Sequence, residues 1–180
     1  MTERIAEASP RFKARIAGVF YLLVFVTGMF SLVSVRGRLV ANFIATVCYV
    51  AVTLLFYDIF KPVNRSLSLL AAFFSLLGCI VGGLSSFHLV PFSISPLVFF
   101  GFYCLLIGYL IFRSTFLPRI LGVLMAFGGL GWLTFLSPAL ANYLSPYNFA
   151  PGILAEGALT LWLIVVGLNA ERWKEQAGYK

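Results

Sequence analysis

The sequence predicts an all-α membrane protein of six transmembrane helices, arranged as three like-oriented helical hairpins with both chain ends on the inner side. Three observations predict it. Of the 180 residues, 61% are hydrophobic and only 11% charged, where soluble domains carry roughly 45–50% apolar and about 25% charged residues. The apolar residues fall into six runs, each long enough to cross a bilayer. The basic residues crowd into alternate gaps between those runs.

A helix needs about 20 apolar residues, at about 1.5 Å each, to span a hydrocarbon core roughly 30 Å thick. The first run is Ile16–Val35. Ser9-Pro10 ahead of it reads as an N-cap and first helical position, so that helix starts before the membrane. The run is longer than the core of a signal peptide and lacks a clear small-residue cleavage site, so no cleavable secretory signal is expected. The second and third runs are Leu39–Phe60 and Leu67–Leu89, separated by a turn holding Pro62. Ser93–Phe112 follows, with Pro91 and Pro96 at its entry. The fifth is Ile120–Leu136, entered past Pro118, and the sixth is Gly152–Leu168, entered past Pro151. Proline costs about 3 kcal/mol inside a helix but suits a first turn. All eight prolines lie at run ends or between runs. The expected division is a cytoplasmic segment 1–15, a six-helix domain 16–168 and a cytoplasmic tail 169–180.

Lys and Arg set the orientation. With the N-terminus inside, eleven of the thirteen basic residues are cytoplasmic and only Arg36 and Arg38 remain outside. The reverse orientation would invert that ratio. The net charge of +7 is spread in short clusters between apolar runs. That suits anionic lipid headgroups at the cytoplasmic face and does not form a nucleic-acid-binding patch.

The outward-going helices open alike, with "RIAGVFYLLVFVTG" from Arg15, "RSLSLLAAFFSLLG" from Arg65 and "RILGVLMAFGGLG" from Arg119. The returning helices end alike, in "YDIFK" at Lys61 and "YLIFR" at Arg113. This reads as three hairpins of about fifty residues, a parallel repeat of the kind some transporters use. Convergence on boundary arginines and membrane-helix glycines is the competing explanation.

The stretch "GFYCLLIGYLIFRSTFLPRILGVLMAFGGLGWLTFL", with "ARIAGVFYLL", "KPVNRSLSLLAAFF" and "LWLIVVGLNAERWK", resembles a family of bacterial integral membrane proteins known as domain of unknown function 4386. The resemblance covers nearly the whole chain and is most specific from Gly108 to Gly122. It implies a multi-pass protein of the bacterial cytoplasmic membrane, and it implies no activity.

Glu156 is the sharpest polar feature. Counted from Pro151 it lies roughly 7–8 Å inside the outer end of its helix. An ionisable group at such depth is expected to have a partner or a function. Arg36 and Arg38 are the outer cations, so an ion pair with Glu156 is expected from one of them. His88 and Asn42 fall near the outer ends of their spans. With Glu156, Arg36, Arg38, Tyr143 and Tyr147 they define a candidate outward-facing pocket for a small ligand or ion. Asp58, three residues before Lys61, suits an interfacial ion pair. Gly78 with Gly82, Gly101 with Gly108, and Gly122 with Gly129 read as packing faces within the chain. Cys48, Cys79 and Cys104 read as packing residues.

Catalysis is poorly supported. A single histidine excludes a two-histidine HExxH zinc site and bis-His haem, and no phosphate-binding loop is present. No metal and no cofactor is expected. Two function classes remain: a non-catalytic protein binding a small ligand or ion near Glu156, and a structural or sensory subunit acting through helix packing. An intramembrane enzyme is a distant third.

Overall fold

A computed structural model describes residues 9–34, 36–87, 89 and 95–178. Among them the chain is helical throughout: α1 (Pro10–Val33), α2 (Arg38–Phe60), α3 (Arg65–Ser86), α4 (Pro96–Arg113), α5 (Arg119–Leu133), α6 (Pro138–Leu144), α7 (Ala150–Val165) and α8 (Ala170–Gln176). Short 3-10 turns extend α5 to Leu136 and precede α7 from Tyr147. Six of these helices, α1 to α5 and α7, are long and apolar enough to cross a membrane. The chain is an all-α, multi-pass membrane protein.

Local chemistry starts and stops the helices. Ser9 caps α1 by accepting from the Phe12 amide at 3.3 Å, with Pro10 in the first turn. Asn64 caps α3 through the Leu67 amide at 3.0 Å, and Ser95 caps α4 ahead of Pro96. These caps satisfy amides that have no partner inside the helix. α7 stops at Gly167, whose φ of 75° lies in the left-handed region that glycine adopts without strain.

The six spans form a closed ring in chain order. α1 packs on α2, α2 on α3, α3 on α4, α4 on α5, α5 on α7, and α7 returns to α1. Interfaces within a hairpin therefore alternate with interfaces between hairpins. Each opening helix packs on the returning helix of the hairpin before it. The fourth position of the first and third opening stretches sits in that second kind of contact. At Gly18 a Cβ would stand 2.8 Å from Ile164 of α7, and at Gly122 it would stand 2.6 Å from the Gly108 carbonyl of α4. Ser68, the counterpart in α3, is buried. Small residues at close helix contacts fit a threefold repeat, and they fit convergence on small packing residues as well.

The closest pair is α4 with α5. Gly101 faces Gly129, and Gly108 faces Gly122, so two levels of backbone touch backbone. Gly78 lies under the Phe100 ring, with Gly82 beside Pro96. The glycine faces read from the sequence are therefore intramolecular. Their role follows from the solvent. Leu, Phe and Val side chains cover the outside of the ring, including Phe43, Phe73, Leu130 and Leu154. Lipid gives them no hydrophobic reason to hide, so close packing and interhelical hydrogen bonds must hold the helices together. The buried Thr53–Ser75 hydrogen bond, 2.5 Å between α2 and α3, is one such link.

At the end carrying both termini the basic residues are tied down. Asp58 pairs with Lys61, as its spacing predicts, and also with Lys13 of α1. The segment after α7 packs back on the bundle. The Trp173 indole N–H donates to the Ile59 carbonyl at 2.8 Å, and the Thr115 amide and hydroxyl donate to Gln176 at 3.0 and 3.1 Å.

Candidate functional site: a carboxyl at the centre of the ring

α7 starts against the opposite end of the bundle and brings Glu156 to the middle. Its partners fix that depth. Tyr21 and Cys104 stand halfway along α1 and α4. The carboxyl also meets Trp132, one residue before the end of α5, so its partners run from mid-helix toward the end opposite the termini. Glu156 itself is only 7% exposed.

The carboxyl is surrounded by donors. Tyr21 Oη donates to Oε2 at 2.8 Å, Trp132 Nε1 to Oε1 at 2.7 Å, and Cys104 Sγ to Oε1 at 3.6 Å. These come from α1, α5 and α4. Tyr49 of α2 extends the cluster, its hydroxyl 3.4 Å from that of Tyr21. The Thr53 hydroxyl, bonded to Ser75 of α3, donates to the Tyr49 carbonyl at 2.8 Å. Polar side chains of α1, α2, α4 and α5 thus gather around one carboxyl of α7, and the Thr53–Ser75 pair joins α2 to α3 one turn further along. Aromatic rings seal it: Tyr21 and Tyr49 meet edge-on at 5.6 Å, and Tyr49 lies 4.6 Å from Phe100 and 6.0 Å from Tyr103. The Tyr103 hydroxyl is buried with no hydrogen-bond partner among the described residues.

No cation joins this cluster. Among the described residues, the ion pairs are those of Asp58. The expected arginine pairing is corrected on that ground: Arg38 is exposed and its Nε donates to the Ser31 carbonyl at 3.2 Å, and Arg36 is exposed. Asn42 donates to Ser86 at 3.5 Å, linking α2 to α3 rather than reaching Glu156. Tyr143 and Tyr147 are 85% and 80% exposed at the opposite end. The structure does not bring these five to Glu156: Arg38 and Asn42 have nearer partners, and Arg36, Tyr143 and Tyr147 are exposed. His88 lies outside the described residues.

Sequence reasoning missed Tyr21, Trp132, Cys104 and Tyr49 as site residues. They are neutral, and a search for partners of a buried acid counts cations first. A small cleft at the other end of the bundle, lined by Ser9, Arg11, Asn169, Ala170 and Glu171, mixes both charge signs at the solvent boundary.

An uncharacterized protein of Archaeoglobus fulgidus is 24% identical over 163 residues, covering 84% of this chain and 93% of its own length. No solved structure matches. Residues 34–94 and 86–167 match the family described as Domain of unknown function (DUF4386). That match spans most of the chain, including the α4–α5 glycine pairs and Glu156 with Trp132, Cys104 and Tyr49, though not Tyr21, and the chain belongs to this family.

Proposed function

We propose that this is a non-catalytic membrane protein whose working group is the Glu156 carboxyl, which binds a small positive species, a proton or a small cation, at the centre of the helix ring. One observation carries the reading: a buried carboxyl meets three neutral donors and no basic side chain among the described residues. An unpaired ion away from water is penalised by on the order of several kcal/mol even after the surroundings relax. Neutral donors offset part of that penalty, and a positive partner removes the rest. In this reading the chain lies in a bacterial cytoplasmic membrane with both termini inside, its basic clusters against anionic headgroups.

Trp132 supplies the test, because its indole is bonded to the responding group. In detergent or nanodiscs, the emission component lost in Trp132→Phe should change with pH or with added Na+ or K+. The response should vanish in Glu156→Gln. A wild-type signal indifferent to both would overturn the proposal.

A second reading has its own support. Donors from three helices converge on one side chain, so Glu156 also serves as a structural pin in a scaffold or sensor subunit. That role predicts loss of stability in Glu156→Leu with no response of Trp132 to any ion.

A further inference from the structure

Three buried side-chain atoms have no hydrogen-bond partner among the described residues: Asn148 Oδ1, Tyr103 Oη and Ser68 Oγ. They sit at three depths. Asn148 precedes α7 at the end opposite the termini, Tyr103 lies midway along α4, and Ser68 is in the first turn of α3 at the basic end. All three are at most 4% exposed. An unsatisfied buried polar atom costs about 1–3 kcal/mol. They lie to either side of Glu156 and beside it, the buried acid that no cation neutralises among the described residues.

We propose that these atoms mark a hydrated polar track through the ring, and that the species bound at Glu156 is a proton moving along it, which makes this a proton-conducting or proton-coupled transport protein. The inference rests on the Glu156 reading above. Buried water satisfies otherwise unpaired polar groups, each molecule making about three hydrogen bonds. Asn148 and Glu156 are separated by about 12 Å at the helical rise per residue, and Ser68 and Ser75 by about 10 Å. Three or so waters, at roughly 2.8 Å per hydrogen bond, bridge each gap. Between the gaps the protein supplies two hydroxyl pairs, Tyr21 with Tyr49 and Thr53 with Ser75, and because Thr53 bonds the Tyr49 backbone carbonyl rather than its hydroxyl, water must also join one pair to the other.

The donor set selects a proton over a metal ion. Trp132 has no lone pair to offer a metal, and its N–H and the Cys104 S–H already point at Oε1. A metal there would face two hydrogens and find one carboxylate. A proton on Oε2 displaces nothing. The new Glu156 O–H donates to Tyr21, and the Tyr21 O–H turns to Tyr49, 3.4 Å away. Tyr21, Tyr49, Tyr103 and Cys104 are the titratable groups around the carboxyl, and none of them brings a positive charge.

The test is a pH jump applied to one side of proteoliposomes at a time, read by the Trp132 emission component. Wild-type protein should respond to jumps from either side. Asn148→Leu should slow the response to the side opposite the termini at least tenfold, and Ser68→Val should do so from the terminal side. Asn148→Ala and Ser68→Ala, which leave room for water, should keep near-wild-type rates and guard against misfolding as the cause. Wild-type rates in the Leu and Val variants, with full equilibrium amplitude, would overturn the track and leave the Glu156 reading standing. Loss of the tenfold contrast between the bulky and the alanine variants would do the same. A response to Na+ or K+ at fixed pH, with none to pH, would overturn the proton assignment. A wild-type signal indifferent to every ion would remove the reading beneath it.

Discussion

Trp132 and Glu156 are locked to each other across the α5–α7 interface: the indole N–H donates to Oε1 at 2.7 Å, and the ring lies flush against Gly152, four residues before Glu156 on α7. Glycine at 152 is therefore what admits the indole. In Gly152→Ala the new methyl would overlap the ring, which its hydrogen bond to Glu156 holds in place. Loss of near-ultraviolet ellipticity and a red-shifted emission are expected, with a destabilisation of about 1–3 kcal/mol.

The carboxyl's three donors make its removal costly in a graded way. Glu156→Leu leaves Tyr21, Trp132 and Cys104 without their acceptor. Interhelical hydrogen bonds in membranes average about 0.6 kcal/mol, so a total loss of about 2 kcal/mol is expected in SDS-driven unfolding. Glu156→Gln keeps one acceptor oxygen and should lose less than half as much. Equal losses in the two variants would show that hydrogen bonding is not what the site contributes.

The Gly108–Gly122 contact is backbone against backbone, so no side chain can rotate away. Gly108→Ala or Gly122→Ala should part α4 and α5 and destabilise by about 1–3 kcal/mol. Gly28 is the control, since a Cβ there meets nothing within 4 Å. Gly28→Ala should be neutral or stabilising by up to about 1 kcal/mol, the gain in helix propensity. Thermal shift of the purified variants separates the two kinds of glycine.

Asp58 neutralises Lys13 and Lys61 at the membrane boundary, with about a quarter of its side chain exposed. Asp58→Asn should cost under about 1 kcal/mol, the range of solvent-screened pairs. The difference from wild type should shrink further in high salt. A loss that salt leaves unchanged would mean that Asp58 acts through something other than its charge.

What the sequence disclosed and what it withheld divide along a physical line. Span existence follows from length and apolar content, and the observed helices agree with the predicted runs to a few residues. The glycine faces were legible because seven-residue spacing puts Gly101 with Gly108, and Gly122 with Gly129, on one side of a helix. The Asp58–Lys61 pair is a local i,i+3 contact and was legible for the same reason. The partners of Glu156 come from positions 135, 52 and 24 residues away, and no local period announces them. Lys13 meeting Asp58 is equally non-local. Charge arithmetic pointed to Arg36 and Arg38, but depth decided otherwise. Both stay at the boundary, while α7 takes Glu156 to where Tyr and Trp are the available donors.

The return of α7 to α1 has a consequence for how the protein is made. The two helices that close the bundle, α1 and α7, leave the ribosome with four other spans between them. Those four must be inserted before the seam can form, and the acidic side chain enters the lipid only after them. By then Tyr21, Cys104 and Trp132 have already been delivered. The order of synthesis thus builds the receptacle before its anion arrives, and a nascent chain cut short of α7 would expose that receptacle, unfilled, to the insertion machinery.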